Sequence, residues 1–378
     1  MPGSLLTSNT TTGIQNDPFR FGSDDRLLTP DFRLLNSSIK KGVCMIRVGI
    51  IGYGYWGPNV VRNFIGHGET QVAAICDLEH NALQRARRAH PGIHTTSDCN
   101  EILRSPDIDA VVIVTPVSTH YELAKVALEN GKHIFIEKPF TASINQAEEL
   151  IELADKKNLR IMVDHTFLFT GSVRKIKQLI EENVLGDLYY FDSIRINLGL
   201  FQKDVNVVWD LAPHDLSIMD HLINKKPVAI MASGTAHFHS KLEDVAYITL
   251  YFSDNLIAHI NVNWLSPVKI RTTLIGGDKK MLVWNDLAPD EKIRIYDRGV
   301  ETFGQEASYD MRVSYRSGDM WAPKVEQNEA LKVEVDYFID CIINGKTPIN
   351  DGQAGLRIVR MLQSTIKSLK RGGEVVYL

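Results

Sequence analysis

Apolar residues along the first third of the chain fall into short, nearly continuous runs separated by amphipathic stretches. The run Ile46–Ile51 (IRVGII) ends in glycines and gives way to helical spacing through Phe64. The runs Val72–Cys76, Ala110–Val114, His133–Ile136 and Arg160–Val163 follow. Between them Asn81–Ala89, His120–Asn130 and Ile144–Lys157 carry apolar positions at helical intervals, and Gly131 suits the left-handed residue that ends a helix. A strand covered by helices on both faces has this unbroken apolar character. Alternation of such strands with helices predicts an α/β region built on a doubly wound parallel sheet.

Beyond residue 166 the pattern changes. Helical spacing over Val173–Asn183 and His214–Ile223 precedes a succession of strand-like runs, Val228–Thr235, Ala246–Phe252, Leu256–Trp264 and Ile270–Ile275. Strands that follow one another without intervening helices pair antiparallel. The expectation is a C-terminal α+β domain with an open, mostly antiparallel sheet and helices on one face. Val325–Ile343 and Gln353–Lys370 read as closing amphipathic helices; in the second, Leu356, Val359, Leu362, Ile366 and Leu369 share one stripe. Three segments result: a polar extension over 1–44, a dinucleotide-binding region over 45–166 and a substrate-binding region over 167–378. The extension is rich in Ser, Thr, Asn and Asp and broken by Pro18 and Pro30, so a mobile or loosely docked segment is expected; Met45, before the first strand, could serve as an alternative start.

Composition narrows the class. Of 378 residues, 44% are hydrophobic and 23% charged, which fits a folded globular chain. The 42 basic and 46 acidic side chains leave a net charge of -4, with no electrostatic footprint for nucleic acid or an anionic membrane. The apolar runs fall short of the roughly 20 residues that cross a bilayer. The first 44 residues lack the basic start and apolar block of a signal peptide. Cys44, Cys76, Cys99 and Cys341 are scattered without metal-ligand spacing, so reduced thiols in a reducing, cytoplasmic compartment are expected.

Three features carry chemistry. Gly52-x-Gly54-x-x-Gly57 follows a strand and opens a helix, the setting in which glycines allow a tight turn, close approach to a pyrophosphate and close helix packing. Asp77 closes the next strand, where an acidic side chain accepts from ribose hydroxyls and repels a 2′-phosphate; this favours NAD over NADP. A cap on the turn into Leu78–Glu79 is the other reading of Asp77. Glu137-Lys138-Pro139 sits at the end of a buried strand, where open sheets bind ligands, and Lys138 either donates to a reacting alcohol or pairs with Glu137 at the surface. His237 and His239 share a strand face without a third ligand nearby, so no metal is expected.

Taken together, Gly52-Tyr53-Gly54-Tyr55-Trp56-Gly57, the strand end Val114-Thr115-Pro116 followed by His120, the Glu137-Lys138-Pro139 tripeptide and Asp210-x-x-x-His214 resemble the Gfo/Idh/MocA oxidoreductases. The resemblance covers residues 45 to about 375. It implies cofactor contacts from all six loop residues, Asp77, Thr115, Pro116, His120, Glu137 and Lys138. It further implies that Lys138 polarises a carbinol, that His214, at a helix start, is the general acid/base titrating near neutrality, and that Asp210 orients His214 or binds substrate. His165, in Asp164–Phe169, is an implied substrate contact. Where many relatives carry a glycine-rich run, Asp204–Trp209 stands here, which bears on substrate identity more than on reaction type. The implied reaction transfers hydride between NAD and a secondary alcohol of a small sugar-like molecule, preferably a sugar nucleotide or sugar phosphate at a ring carbon such as C3. Oxidation of a cyclitol, reduction of a ketone or imine, and nicotinamide sensing without turnover stay open. The resemblance also implies a homodimer or homotetramer assembled through the C-terminal sheet.

Overall fold

The structure is a computed structural model that describes residues 45–199, 205–238, 242–303 and 312–378; the polar extension and Cys44 lie outside the described residues. The parallel sheet is made by β1 (Ile46–Ile51), β2 (Thr70–Cys76), β3 (His94–Thr96), β4 (Ala110–Ile113), β5 (His133–Glu137) and β6 (Ile161–Asp164). Helices α1 (Gly57–Gly66), α2 (His80–Ala89), α3 (Asn100–Leu103), α4 (Val117–Glu129) and α5 (Ile144–Lys157) connect them. The order β3-β2-β1-β4-β5-β6 is parallel throughout, so the chain reverses its direction of travel between β1 and β4. In such a sheet ligands bind at the carboxyl ends of the strands beside that switch point.

The chain then forms α6 (Gly171–Glu181), β7 (Leu188–Leu198) and α7 (Val207–Leu222). Strands β8 (Pro227–Thr235), β9 (Val245–Phe252), β10 (Ile257–Asn263), β11 (Leu265–Gly277), β12 (Met281–Asn285), β13 (Ile293–Phe303) and β14 (Arg312–Trp321) follow. Helices α8 (Ala330–Ile343) and α9 (Gly352–Lys370) and the short β15 (Val376–Tyr377) end the chain. The second sheet has nine strands in the order β14-β13-β12-β11-β7-β10-β9-β8-β15; β7 pairs parallel with β10 and the other pairings are antiparallel. Its central strand, β7, is absent from the sequence reading. Phe191, Ser193 and Arg195 point inward there, and the polar members of that row hide the alternation.

Two expected helix starts are corrected. α7 begins at Val207, not His214, because the Asn206 side chain accepts the Trp209 amide and caps the helix, and Pro213 lies within it. α8 begins at Ala330, not Val325; Val325–Glu329 has no regular structure, and Glu329 is held by Arg62 and Asn63 of α1. The last helices tie the two sheets together. Phe338 of α8 packs edge-on against Phe64 and Phe135 of the parallel sheet's core, at 6.4 and 5.5 Å. α9 buries Leu356 and Val359 on the parallel-sheet side and Ile358, Met361 and Leu362 in the core of the second sheet. Among the described residues no helix is long and apolar enough to cross a membrane.

Candidate active site

At the end of β1 the chain must turn beneath β4. Gly52 does so at φ 105°, where a Cβ would lie 2.2 Å from the Val114 carbonyl oxygen, and a Cβ on Gly57 would lie 2.7 Å from that of Gly52. Neither position admits a side chain without moving backbone. A Cβ on Gly54 would meet nothing within 4 Å, so this part of the loop faces open space. The amides of Gly54, Tyr55 and Trp56 donate to no acceptor among the described residues, and α1 opens directly behind them. An open glycine cradle with free N–H donors at a helix start fits a dinucleotide pyrophosphate.

Asp77 ends β2 facing this loop. Its carboxylate accepts the Tyr53 amide at 2.6 Å and the Glu79 amide at 2.8 Å, so it braces the loop and caps its own turn. Other expected cofactor contacts are corrected by their burial. The Tyr53 ring is 3% exposed and belongs to the core beside His90, leaving only its backbone in the loop. His120 is wholly buried, its ring nitrogens 2.8 Å from the Thr115 carbonyl and 3.0 Å from that of Pro139. It fastens the loop after β4 to the turn after β5 rather than meeting a ligand. Trp56 is half-buried and donates its indole N–H to Asp164, while Tyr55 stands free in solvent. Thr115 and Pro116 lie where β4 passes into α4, and Glu137 is half-buried at the end of β5.

Lys138 follows β5 into the space below α7. Its Nζ donates to the Asp210 carbonyl at 3.0 Å and lies 3.7 Å from the Asp210 carboxylate. The other carboxylate oxygen of Asp210 accepts the Trp264 indole N–H at 3.0 Å. Asp210 therefore holds Lys138 between the two sheets; the expectation that it orients His214 is corrected, because His214 Nδ1 is buried with no partner among the described residues. The His214 ring packs edge-on against Phe167 at 5.0 Å, and the guanidinium of Arg195 covers Phe167 at 4.5 Å. Arg195 is fixed by Asp215, at 2.6 and 3.2 Å, in a buried ion pair that Ser193 completes. Arg271 also covers Phe167, at 5.6 Å.

Burial, then Lys138, Arg195, His165 and Arg271, push the His214 imidazole well below its usual range. The expected titration near neutrality is corrected accordingly: the ring is neutral there and free to accept a proton. His165, buried after β6, is lowered to about 4 chiefly by burial, and both of its ring nitrogens lack partners among the described residues. Orphaned polar atoms this deep in a native protein normally belong to a ligand or water site. Phe167, Arg195, Trp264 and Arg271 were not singled out from sequence; only the out-of-place arginine in the inward row of β7 could have marked one of them. His237 lies past the end of β8 and its Nδ1 is 2.7 Å from Asp244, while His239 is outside the described residues.

A six-stranded parallel sheet with an open glycine loop at its switch point defines a dinucleotide-binding domain. Residues 46–165 match the "Oxidoreductase family, NAD-binding Rossmann fold" of Gfo/Idh/MocA, and residues 173–283 match the GFO/IDH/MocA C-terminal domain. The chain belongs to the Gfo/Idh/MocA oxidoreductase family. It is similar to the UDP-N-acetylglucosamine 3-dehydrogenase of Acidithiobacillus ferrooxidans, 26% identical over 323 residues that cover 83% of this chain and 94% of the relative. The solved structure of that enzyme superposes with a TM-score of 0.71, covering 87% of this chain and 99% of the other. The scyllo-inositol 2-dehydrogenase (NAD(+)) of Bacillus subtilis is 25% identical over 319 residues, 80% of this chain and 88% of the relative. An Agrobacterium radiobacter oxidoreductase solved with NAD+, L-tartaric acid and magnesium shares the fold at 16% identity, with a TM-score of 0.74 and coverage of 88% and 98%.

Proposed function

We propose that this oxidoreductase interconverts a secondary alcohol and a ketone on the ring of a sugar nucleotide or sugar phosphate, C3 being the preferred position. The observation that carries this reading is the group of buried imidazole nitrogens, on His165 and His214 beside Lys138, that have no partner among the described residues. A neutral imidazole offers one donor and one acceptor, which matches a ring hydroxyl that both gives and takes a hydrogen bond. Bound NAD supplies the hydride acceptor, or NADH the donor. His214 takes the hydroxyl proton during oxidation and returns it during reduction. Lys138, held by Asp210, donates to the same oxygen and stabilises its developing negative charge. Asp77 selects NAD over NADP through the ribose hydroxyls.

Arg271 supports an anionic substituent. Its side chain is 32% exposed, and its one acidic contact among the described residues, with Asp286, is at 3.4 Å, which leaves donors available. Asp286 also borders an open groove of about 980 Å³ between Asp286–Lys292 and Ala322–Glu329, roomy enough for a nucleotide-sized group. The similarity to a UDP-N-acetylglucosamine 3-dehydrogenase points the same way. A cyclitol is the second reading, favoured by the inositol dehydrogenase relative. We assign the chain to the cytoplasm as a homodimer or homotetramer, which size-exclusion chromatography with light scattering tests.

The experiment is a panel of UDP-sugars, dTDP-sugars, sugar phosphates, free sugars and inositols, read as NADH formation. Turnover confined to phosphate-bearing sugars is expected. Turnover of inositols alone would replace this reading with the second, and no turnover of any alcohol despite tight NAD binding would leave a sensing role.

A further inference from the structure

Residues Glu137 and Asp164 are register partners at the ends of β5 and β6. Two residues earlier, Phe135 and Met162 lie in the core that α1 and α8 cover, whereas Ile136 and Val163 lie on the opposite face. Side chains alternate along a strand, so Glu137 and Asp164 project toward α8. On α8, one turn before Phe338, Glu334 is 0% exposed and interacts with Asp164 and Thr166. Three carboxyl groups from three elements thus lie together, Asp164 and Glu334 buried and Glu137 half-buried.

Their donors are few. Asp164 accepts the Trp56 indole N–H at 3.1 Å and the Thr166 hydroxyl. Glu334 accepts the Asn350 amide at 2.9 Å, and the same amide donates to the Val163 carbonyl at 2.7 Å. Among the described residues one oxygen of Glu137 has no partner, and the Glu334 oxygen that Asn350 does not reach has no donor, which leaves it the carboxyl contact with Asp164. The charged groups facing Glu137 are Asp164, Lys138 and Asp210, and those facing Glu334 are Asp164 and Glu137. Lys138 is the sole cation among them and is already bound to Asp210. Burial and Asp164 push Glu137 up to about 8 and Glu334 well above the carboxylate range, so both carry protons at neutral pH while Asp164 collects the donors.

We propose that Glu334 is a positioning residue for the cofactor loop: through its carboxyl contact with Asp164 it fixes the acceptor that holds Trp56, and so α8 sets the shape of the glycine cradle. A hydrophobic side chain in its place would leave Asp164 short of a donor and the indole without a fixed anchor. The inference rests on NAD binding alone and not on the identity of the substrate.

The test is calorimetric titration of the full-length protein with NAD across a pH series, using Glu334→Leu and Glu334→Gln, with thermal melting run beside it. Glu334→Leu is expected to weaken NAD about tenfold, and Glu334→Gln, which keeps an N–H donor, less than about threefold. Wild-type affinity is expected to fall as pH rises past about 8, where Glu137 ionises beside Asp164. Glu334 is already neutral there, so Glu334→Gln exchanges one neutral side chain for another and the fall is expected at the wild-type pH. A role confined to packing would cost affinity in Glu334→Gln and Glu334→Leu alike, whereas a donor role spares the glutamine variant. NAD affinity of Glu334→Leu equal to wild type overturns the proposal. So does a loss of tenfold or more in Glu334→Gln, which decides the matter alone should the leucine variant fail to fold.

Discussion

The two sheets serve one site in different ways. The parallel sheet offers its strand ends: the loop after β1, Asp77 after β2, Lys138 after β5 and His165 after β6. The nine-stranded sheet offers a face and the helix lying on it, from which Arg195, Trp264 and Arg271 reach the side chains of α7 and Phe167. Strand ends present backbone and short side chains at positions that any chain of this topology must place beside the switch point. A sheet face presents whatever residue its register puts there, so its chemistry can change without changing the fold. Cofactor handling should therefore be lost from the first region, substrate choice from the second, and the chemical step only from residues at their junction.

The junction carries the largest expected effect. Lys138→Ala and His214→Ala should each lower kcat by roughly a hundredfold or more, the usual loss for an acid/base or charge-stabilising group, with NAD affinity nearly unchanged. Steady-state kinetics beside calorimetry checks this; a loss of NAD binding would move Lys138 to the cofactor side. Next, Arg271→Ala should raise KM for a phosphate-bearing substrate by roughly tenfold to a hundredfold while sparing kcat, since charge-assisted hydrogen bonds contribute about 1.5–3 kcal/mol. An unchanged KM would remove Arg271 from substrate recognition. Asp77→Ala should cost about tenfold in preference for NAD over NADP, about 1.4 kcal/mol, measured by paired titrations. Equal preference in mutant and wild type would leave Asp77 only the bracing role its contacts with Tyr53 and Glu79 define.

The smallest effect concerns pH. The His214 ring is held well below its usual range by burial and by Lys138, so alcohol oxidation should change less than about twofold between pH 7 and pH 6. A steep loss across that interval would mean that the base titrates near neutrality. Stability should respond further into acid. The folded-state value of His165 is depressed to about 4, so its contribution is present above its unfolded value of about 6.5 and is lost as pH falls through the folded value.

Legibility in the sequence followed the same division. The bounds of β1 and α5 coincide with the runs read from sequence, because a strand buried on both faces and a helix with one apolar stripe each leave a local pattern. β7 did not, since its inward row holds Ser193 and Arg195, residues whose burial depends on Asp215, 22 and 20 positions later in the chain. The start of α7 was hidden by Pro213, and the docking of α8 on the parallel sheet had no local sign, because an amphipathic stripe does not name its partner. Lys138, Asp210 and His214 were found as motifs. The acceptor role of Asp210 toward Trp264, and the burial of Tyr53 and His120, depend on contacts that no spacing encodes.

The central claim is that Lys138 from one region and His214 from the other act on one oxygen. A double-mutant cycle tests it most directly: kcat of Lys138→Ala, His214→Ala and the combined variant on the substrate the panel identifies. Groups sharing a transition state are strongly non-additive, so the double variant should lose little more than the worse single. Losses that multiply in full would mean that the two residues serve separate steps, and the account of a shared reacting centre would be wrong.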